Sequence, residues 1–247
     1  MNADATGIAA NIENVRERIA RAIERAATRV AASAAGRSVR VAPDVKIIAV
    51  SKTFSAAAIR AAHDAGVRDF GENRVQEWDS KRAHLADLDA TFHMLGHVQS
   101  NKVSRIAQLF HRVDSLDRLA LAQKLDSAAA AGNKLLPVLI EVHLSGEESK
   151  SGVTEADLAA LAEFTSRLAH LDLQGLMTIP PYFDDAERVR PYFRKLRELR
   201  DGLGAKIGCE LPVLSMGMSH DFEVAIEEGA TEVRIGTAIF GERELKA

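Results

Sequence analysis

Cysteine is almost missing from this chain: Cys209 stands alone among 247 residues. That excludes an intramolecular disulfide and fits a reducing, cytoplasmic setting, with the thiol itself read as a small, partly buried residue. Aromatic residues make up only 5%, too few for the stacking platforms that hold single-stranded nucleic acid. Neither sign of charge dominates. The net is −3 with 27% charged residues, so bulk attraction to nucleic acid or to an anionic membrane is not expected. No apolar run approaches the roughly 20 residues of a membrane span. The N-terminus lacks the basic stretch and apolar core of a signal peptide. A Walker-type phosphate loop is absent. So is any Pro/Gly/Ser-rich linker or break in composition, and residues 1–247 read as one domain.

What is present is a regular alternation. From about residue 7 to 35, Ile8, Ile12, Val15, Ile19, Ile23 and Val30 recur at spacings of three, four and seven. This is the stripe of a long amphipathic helix, followed by a turn around Gly36 and Pro43. Apolar strand candidates then fall at 45–50, 67–70, 91–95, 111–114, 136–142, 173–177, 213–216 and 232–235. Helical patterns lie between them, near 55–65, 73–86, 100–109, 117–131, 154–170, 184–202 and 219–228. Eight strands alternating with seven helices predict a parallel sheet, and eight closes a (β/α)8 TIM-type barrel, over about 45–243, with an extra long N-terminal helix. An open doubly wound sheet is the weaker alternative. Gly66, Gly132, Gly204 and Gly229 occupy helix-to-strand positions suited to terminating a helix, and Thr154 with Asp157 makes a capping pair.

Barrel topology brings the strand C-termini to one face, where active sites lie. Residues just past each run therefore share a site: Lys52, Glu72-Asn73, Gly96-His97, Asp114-Ser115, His143, Met177-Thr178, Ser215 to Ser219, and Gly236-Thr237. Lys52 follows the run Ile47-Ile48-Ala49-Val50. A lysine at a barrel mouth can lose its proton and form a Schiff base with a carbonyl compound. The plainer alternative is a lysine that ends a strand and points to water. The segment Leu214 to Asp221 contributes a glycine and two hydroxyls and runs into a helix that Ser219 or His220 would begin. Arg234-Ile235-Gly236-Thr237-Ala238 adds a second glycine and hydroxyl. Loops after the seventh and eighth strands of barrels often bind phosphate, while Ser219 can equally act as a plain N-cap. A Schiff-base lysine combined with a phosphate cup points to a phosphorylated aldehyde, and pyridoxal 5′-phosphate (PLP) is the candidate. If Arg234 faces the pyridine nitrogen it disfavours the pyridinium form. Alternation puts Glu232 and Arg234 on one face of their strand, without saying which face lines the barrel.

With those residues in hand the chain resembles a family. The runs Ala49-Val50-Ser51-Lys52, Phe70 to Glu77, Phe92 to Lys102, Gly146 to Gly152, Gly175-Leu176-Met177-Thr178, Leu214 to Ser219 and Arg234 to Gly241 are closely similar, in order and spacing, to the PLP homeostasis protein family. These are relatives of the alanine racemase barrel. The resemblance implies PLP held as a Schiff base on Lys52, with phosphate contacts from Ser215 or Ser219 and from Gly236 and Thr237. It implies Arg234 near the pyridine nitrogen and Asn73 beside the cofactor. Met218 completes the candidate site. It also implies a role in vitamin B6 balance, with PLP-dependent apoenzymes as potential acceptors. Thr91, Arg74 and His143 depart from residues common in the family, and His143 could alter the pocket rim.

Other features read more plainly. Glu72-Asn73 suits helix capping as well as cofactor contact. His93 and His97 lack a third ligand at a recognisable metal spacing, and no metal is assigned. Gln99, Asn101 and Lys102 suit a rim or a cap. The polar loop Gly146–Gly152 suits a flap or a solvated loop. Arg194, Lys195, Arg197 and Arg200 read as a solvated helix face.

Two enzyme readings stay beside the carrier. A PLP racemase needs a second acid–base group on the opposite face of the cofactor, and Tyr182, after Pro180-Pro181, is the tyrosine that could approach. Alanine racemases take theirs from a second domain, which this chain, ending at Ala247, is expected to lack. A lysine-dependent aldolase would explain the phosphate cup but not the family likeness. The chain is expected to be a monomer or a weak homodimer.

Overall fold

The computed structural model describes residues 4–32, 42, 44–144 and 151–242. Eight strands, β1 (Lys46–Val50), β2 (Asp69–Glu72), β3 (Thr91–Met94), β4 (Arg112–Leu116), β5 (Leu136–Glu141), β6 (Leu171–Met177), β7 (Val213–Met218) and β8 (Glu232–Ile235), pair in chain order. β8 returns parallel to β1, Lys46 opposite Glu232, and the barrel closes. The helices are α1 (Ala5–Ala32), α2 (Ala56–Asp64), α3 (Val75–Lys81), α4 (Val103–Leu109), α5 (Leu119–Ala131), α6 (Glu155–Thr165), α7 (Arg190–Ile207), α8 (Phe222–Glu227) and α9 (Thr237–Phe240).

Each strand run forms where expected, and the ends move for identifiable reasons. β2 reaches Glu72, because Glu72 points to buried polar partners and stays in register with Met94. β4 includes Asp114 and Ser115, whose side chains bond Arg112 and the Gly96 carbonyl inside the protein. The sequence run ends at 114, so Ser115 extends the strand beyond its expected end. Gly204 falls inside α7, and Gly208, at φ 66°, terminates that helix instead. Thr154 caps α6 as expected, its hydroxyl accepting from the Asp157 amide at 3.2 Å. Cys209 is exposed rather than partly buried.

The stripe of α1 answers its own periodicity. Ile8, Ile12, Val15 and Ile19 are buried, and the helix packs against α2, α8 and α9. Arg18 to Glu223 at 2.8 Å and Arg25 to Glu227 at 2.7 Å fix its angle against α8. The apolar face is therefore covered by the barrel's own helices. The last turn expected to residue 35, the turn at Gly36 and Pro43, residues 146–150 of the polar loop and the barrel's end at 243 lie outside the described residues.

The lumen is filled partly by charge. Arg112 of β4 makes a bidentate pair with Asp114 on its own strand and reaches Glu232 on β8, which is not a neighbouring strand. The contact must cross the barrel interior. Glu232 and Arg234 thus face the lumen, while Val233 and Ile235 pack into the apolar core beneath the helices. His93 donates toward this cluster, with Nε2 2.8 Å from Asp69.

Candidate functional site

β1 delivers Lys52 into a tight turn. The Ser51 amide donates to the Gly71 carbonyl at 2.9 Å, and Phe54 closes the turn by donating to the Ser51 carbonyl at 3.1 Å. Phe54 is anchored under the turn, stacked on Phe240 at 4.8 Å between ring centroids. Lys52 is half-buried between these anchors. The next residue, Thr53, has φ 71°, a left-handed conformation that costs a β-branched residue about 1–3 kcal/mol. Such strain persists only where neighbours impose it, and here Glu77 accepts the Thr53 N–H. Ser51 Oγ donates to Glu72 Oε1 at 2.8 Å. Burial pushes the Glu72 carboxyl pKa up, against the opposing charge of Lys81. Its second oxygen, Oε2, is buried without a partner.

Asn73 follows β2 on the strand beside β1 and is half-buried. It does not cap α3; Arg74 takes that place, with no side-chain capping bond. Asn73, Arg74, His97, Gln99 and Lys102 line a cavity of about 620 Å³ at this end of the barrel. The Asn73 backbone leaves no room for a side chain at position 96, since a Cβ there would stand 2.2 Å from the Asn73 carbonyl oxygen. His97 stands 3.3 Å from Asp117. His143 is half-buried, its amide donating to Val153 at 2.9 Å. Thr91 opens β3, half-buried, and Arg74 is exposed.

The anion cup has a different construction from the one expected. Ser219 does not cap α8; Asp221 occupies that position and its carboxylate accepts the Met218 N–H at 2.6 Å. Burial raises the Asp221 carboxyl pKa. The cause of the shift is a bulge in β7, where Ser215 pairs with Glu232 but Met218 pairs with Arg234. Three steps on one strand match two on the other, so the strand runs on to Met218 and the helix starts later. Gly217 makes the bulge possible. Its φ is 92°, and a Cβ would lie 2.8 Å from the Phe222 Cα. The result carries Ser219 across to the loop after β8, where its hydroxyl accepts from the Gly236 amide at 3.3 Å and the Ala238 amide at 3.2 Å. Both bonds are long for N–H···O, whose usual distance is about 2.9–3.0 Å. Two amides aimed at one oxygen form a donor set suited to an oxyanion. Thr237 is exposed at the start of α9, and Met218 is half-buried at the end of β7.

Ser215 lies deeper. Its hydroxyl accepts from Arg234 at 2.9 Å, and the other arm of the guanidinium donates to the Thr178 carbonyl at 2.7 Å. Arg234 is fully enclosed; burial pulls its pKa down, opposed by carboxylates at Asp114, Asp221, Glu141 and Glu232. Glu141, at the end of β5, accepts from Ser151 at 2.8 Å, and burial pushes its carboxyl up. Sequence inspection missed Lys81 and Glu141 as parts of this region, and gave Glu77 and Asp221 no role within the runs that contain them. The Glu77–Lys81 spacing was the one signal available, and on a helix it reads as an ordinary surface pair. Tyr182 is 73% exposed and leans on the His220 ring at 5.3 Å.

A closed parallel barrel with a half-buried lysine past β1, a two-loop amide cup past β7 and β8, and a lumenal arginine on β8 defines a barrel of the alanine racemase N-terminal class. That family model, "Alanine racemase, N-terminal domain", matches residues 29–244. Within the class, this chain belongs to the pyridoxal phosphate homeostasis protein family. It is 48% identical to a pyridoxal phosphate homeostasis protein of Aquifex aeolicus over 94% of this chain and 99% of that one. Its identity to the protein of that name from Pseudomonas aeruginosa is 49%, over 97% of each chain. Among solved structures it is similar to PipY of Synechococcus elongatus PCC7942 with PLP bound. The identity there is 36% and the TM-score 0.81, over 95% of this chain and 100% of that one. Among the described residues, no helix is long and apolar enough to cross a membrane.

Proposed function

We propose that this chain binds PLP through Lys52 and serves vitamin B6 homeostasis, holding the cofactor and giving it up to PLP-dependent apoenzymes in the cytoplasm. PLP supplies an aldehyde that condenses with amines and a phosphate that needs N–H and O–H donors. The residues present fit both ends. Lys52 offers the amine. Ser219 and the amides of Gly236, Thr237 and Ala238 receive the phosphate. Asn73 flanks from β2 and Met218 from β7. Arg234, a buried cation, would disfavour protonation of the ring nitrogen, and Ser215 holds its guanidinium in place.

The observation that carries this reading is the convergence of Ser219 with the Gly236 and Ala238 amides on the barrel end where Lys52 emerges. Curated relatives are named pyridoxal phosphate homeostasis proteins, and PipY has been solved with PLP bound. A carrier is preferred to a racemase because Tyr182, the tyrosine that could supply the second acid–base group, is 73% exposed to solvent. We read the chain as one domain, monomeric or weakly dimeric, because the α1 stripe is already covered by α2, α8 and α9.

The test is an absorbance spectrum before and after borohydride, followed by peptide mass mapping. The expected result is a visible band that reduction removes, a phosphopyridoxyl group on Lys52, and neither in Lys52→Ala. A protein that stays colourless and unlabelled after PLP is added would overturn the reading and turn attention to sugar-phosphate aldol chemistry.

A further inference from the structure

Lys81 ends α3, four residues after Glu77. Its side chain is only 12% exposed. The ammonium has three protons to donate, and three acceptors surround it: the Ser51 carbonyl at 3.1 Å, Glu72 Oε1 at 3.1 Å and Glu77 Oε1 at 2.5 Å. Each acceptor is tied to the turn that carries Lys52. Ser51 is the residue before it. Glu72 Oε1 also accepts from the Ser51 hydroxyl. Glu77 Oε1 also accepts from the amide of Thr53, the residue after it. Both neighbours of Lys52 are thus bound to one ammonium, one directly and one through a carboxylate.

We infer that Lys81 is the positioning residue for Lys52: its ammonium clamps Glu72 and Glu77 so that they hold the Ser51–Thr53 turn and aim the Lys52 side chain into the barrel mouth. This rests on the reading of Lys52 as the reactive lysine. The electrostatics require a cation at this point. Glu72 and Glu77 direct an oxygen each at the same spot, and without positive charge between them the two carboxylates repel. Lys81 is in a salt bridge with both, 3.1 Å from Glu72 and 2.5 Å from Glu77. Loss of the ammonium removes the one group that joins both carboxylates to the Ser51 carbonyl. Glu77, half-buried at the edge of the site, would swing toward water. Thr53 would then lose the acceptor that holds its φ at 71°. A β-branched residue released from that region relaxes to negative φ, and Lys52 moves with it.

The plainer alternative is that Lys81 neutralises a buried carboxylate and acts on stability alone. Local readouts separate the two. In the full-length protein, Lys81→Met and Lys81→Arg would be compared with wild type in two cofactor-free measurements. One is amide hydrogen exchange at Thr53 against the amides of β5 and β6. The other is reductive methylation of Lys52 by formaldehyde and cyanoborohydride, quantified by peptide mass. For Lys81→Met we expect exchange at Thr53 to accelerate about tenfold or more with β5 and β6 unchanged, the size of a local opening made about 1.4 kcal/mol easier. Methylation of Lys52 is expected to fall several-fold, and Lys81→Arg to restore part of both. Unchanged Thr53 exchange and Lys52 labelling would overturn the inference. So would acceleration of all amides together. Should Lys81→Met not fold, Glu77→Ala, which removes the Thr53 acceptor, carries the same expectation and the same disproof. A wild-type protein that takes no phosphopyridoxyl group yet shows these effects would sink the PLP reading and leave the positioning role standing.

Discussion

Arg234, on β8, crosses the barrel lumen to donate to the carbonyl of Thr178, just past β6, at 2.7 Å. The other arm of the same guanidinium takes Ser215 on β7 at 2.9 Å. The three residues form one unit in which each polar group answers another. Arg234→Leu strands the Thr178 carbonyl and the Ser215 hydroxyl, and each buried polar group left unpaired costs about 1–3 kcal/mol. Ser215→Ala removes one acceptor and is expected to cost about 1 kcal/mol. Because the two changes break the same bond, the double variant should lose less than the sum of the singles. Urea midpoints of the apo-protein check this. Strict additivity would mean that the Arg234–Ser215 bond contributes nothing.

Ser219 offers a more selective test of the cup. Its hydroxyl is the atom on which the Gly236 and Ala238 amides converge. Hydrogen bonds to a charged partner contribute about 1.5–3 kcal/mol, so Ser219→Ala should weaken PLP binding roughly tenfold or more. Pyridoxal, which lacks the phosphate, should bind wild type and variant alike. Equilibrium binding of both compounds gives the ratio, and equal loss for the two would place the phosphate elsewhere.

Which parts of this arrangement were legible beforehand follows from the kind of signal each part leaves. Lys52 was legible because it stands one residue beyond a buried run, Ile47 to Val50, and runs of that type mark strands in any context. The barrel was legible for the same reason, eight times over. Ser219 was expected in the loop after β7, where it lies, but the N-cap reading offered for it fails because Asp221 takes that position. Strand β7 runs to Met218 through a bulge at Gly217, and a bulge adds a residue without changing the apolar pattern that precedes it. Lys81 was not legible, because a Glu77–Lys81 spacing of four looks the same on a solvated helix as on one that covers a buried carboxylate. Arg197 was read as solvated, yet it is largely covered and bonds Glu228, which the exposed Arg194 also meets. The acid they meet lies about thirty positions away in sequence, beyond the reach of periodicity. The facing of β8 needed tertiary contacts too, since Glu232 and Arg234 reveal their side only through Arg112 and Thr178 across the lumen.

Glu228 itself leads to a stability prediction. It is buried and accepts from Arg190 at 3.2 Å, Arg194 at 3.1 Å and Arg197 at 2.8 Å, fastening α7 to the end of α8. Burial opposes its charge, but the arginines prevail and hold the carboxyl below its ordinary pKa. Removing one partner of a buried pair costs about 3–5 kcal/mol. Arg194 is half-exposed, so the loss in Glu228→Ala should fall toward the lower end of that range. Chemical denaturation measures the loss. Arg194→Ala should cost well under half as much, because exposed pairs contribute about 0–1 kcal/mol.

His93 supplies the pH dependence. It lies in the lumen with Nε2 2.8 Å from Asp69 and Nδ1 3.7 Å from Asp114, the second too long for a hydrogen bond. Burial drives its pKa down and Arg112 works in the same direction, but the two carboxylates outweigh both and the net shift is upward. Burial would raise Asp69 and Asp114, but His93 for Asp69, and Arg112 followed by His93 for Asp114, hold both below the usual carboxylate range. A histidine whose pKa is raised on folding adds stability that is complete below its unfolded value, about 6.5, and is lost as pH climbs through the folded value. The lowered aspartates act at the other end, adding stability above about pH 4 that is lost as the solution is acidified. Wild type should therefore melt at a lower temperature at pH 9 than at pH 6. His93→Gln keeps a donor for one carboxylate but cannot titrate. It should cost about 1–3 kcal/mol at pH 6 by leaving a buried acceptor without its charged partner, and should show a flatter melting profile between pH 6 and 9. Parallel profiles in the two proteins would mean that His93 keeps one protonation state across that range, and that the alkaline loss arises at another group.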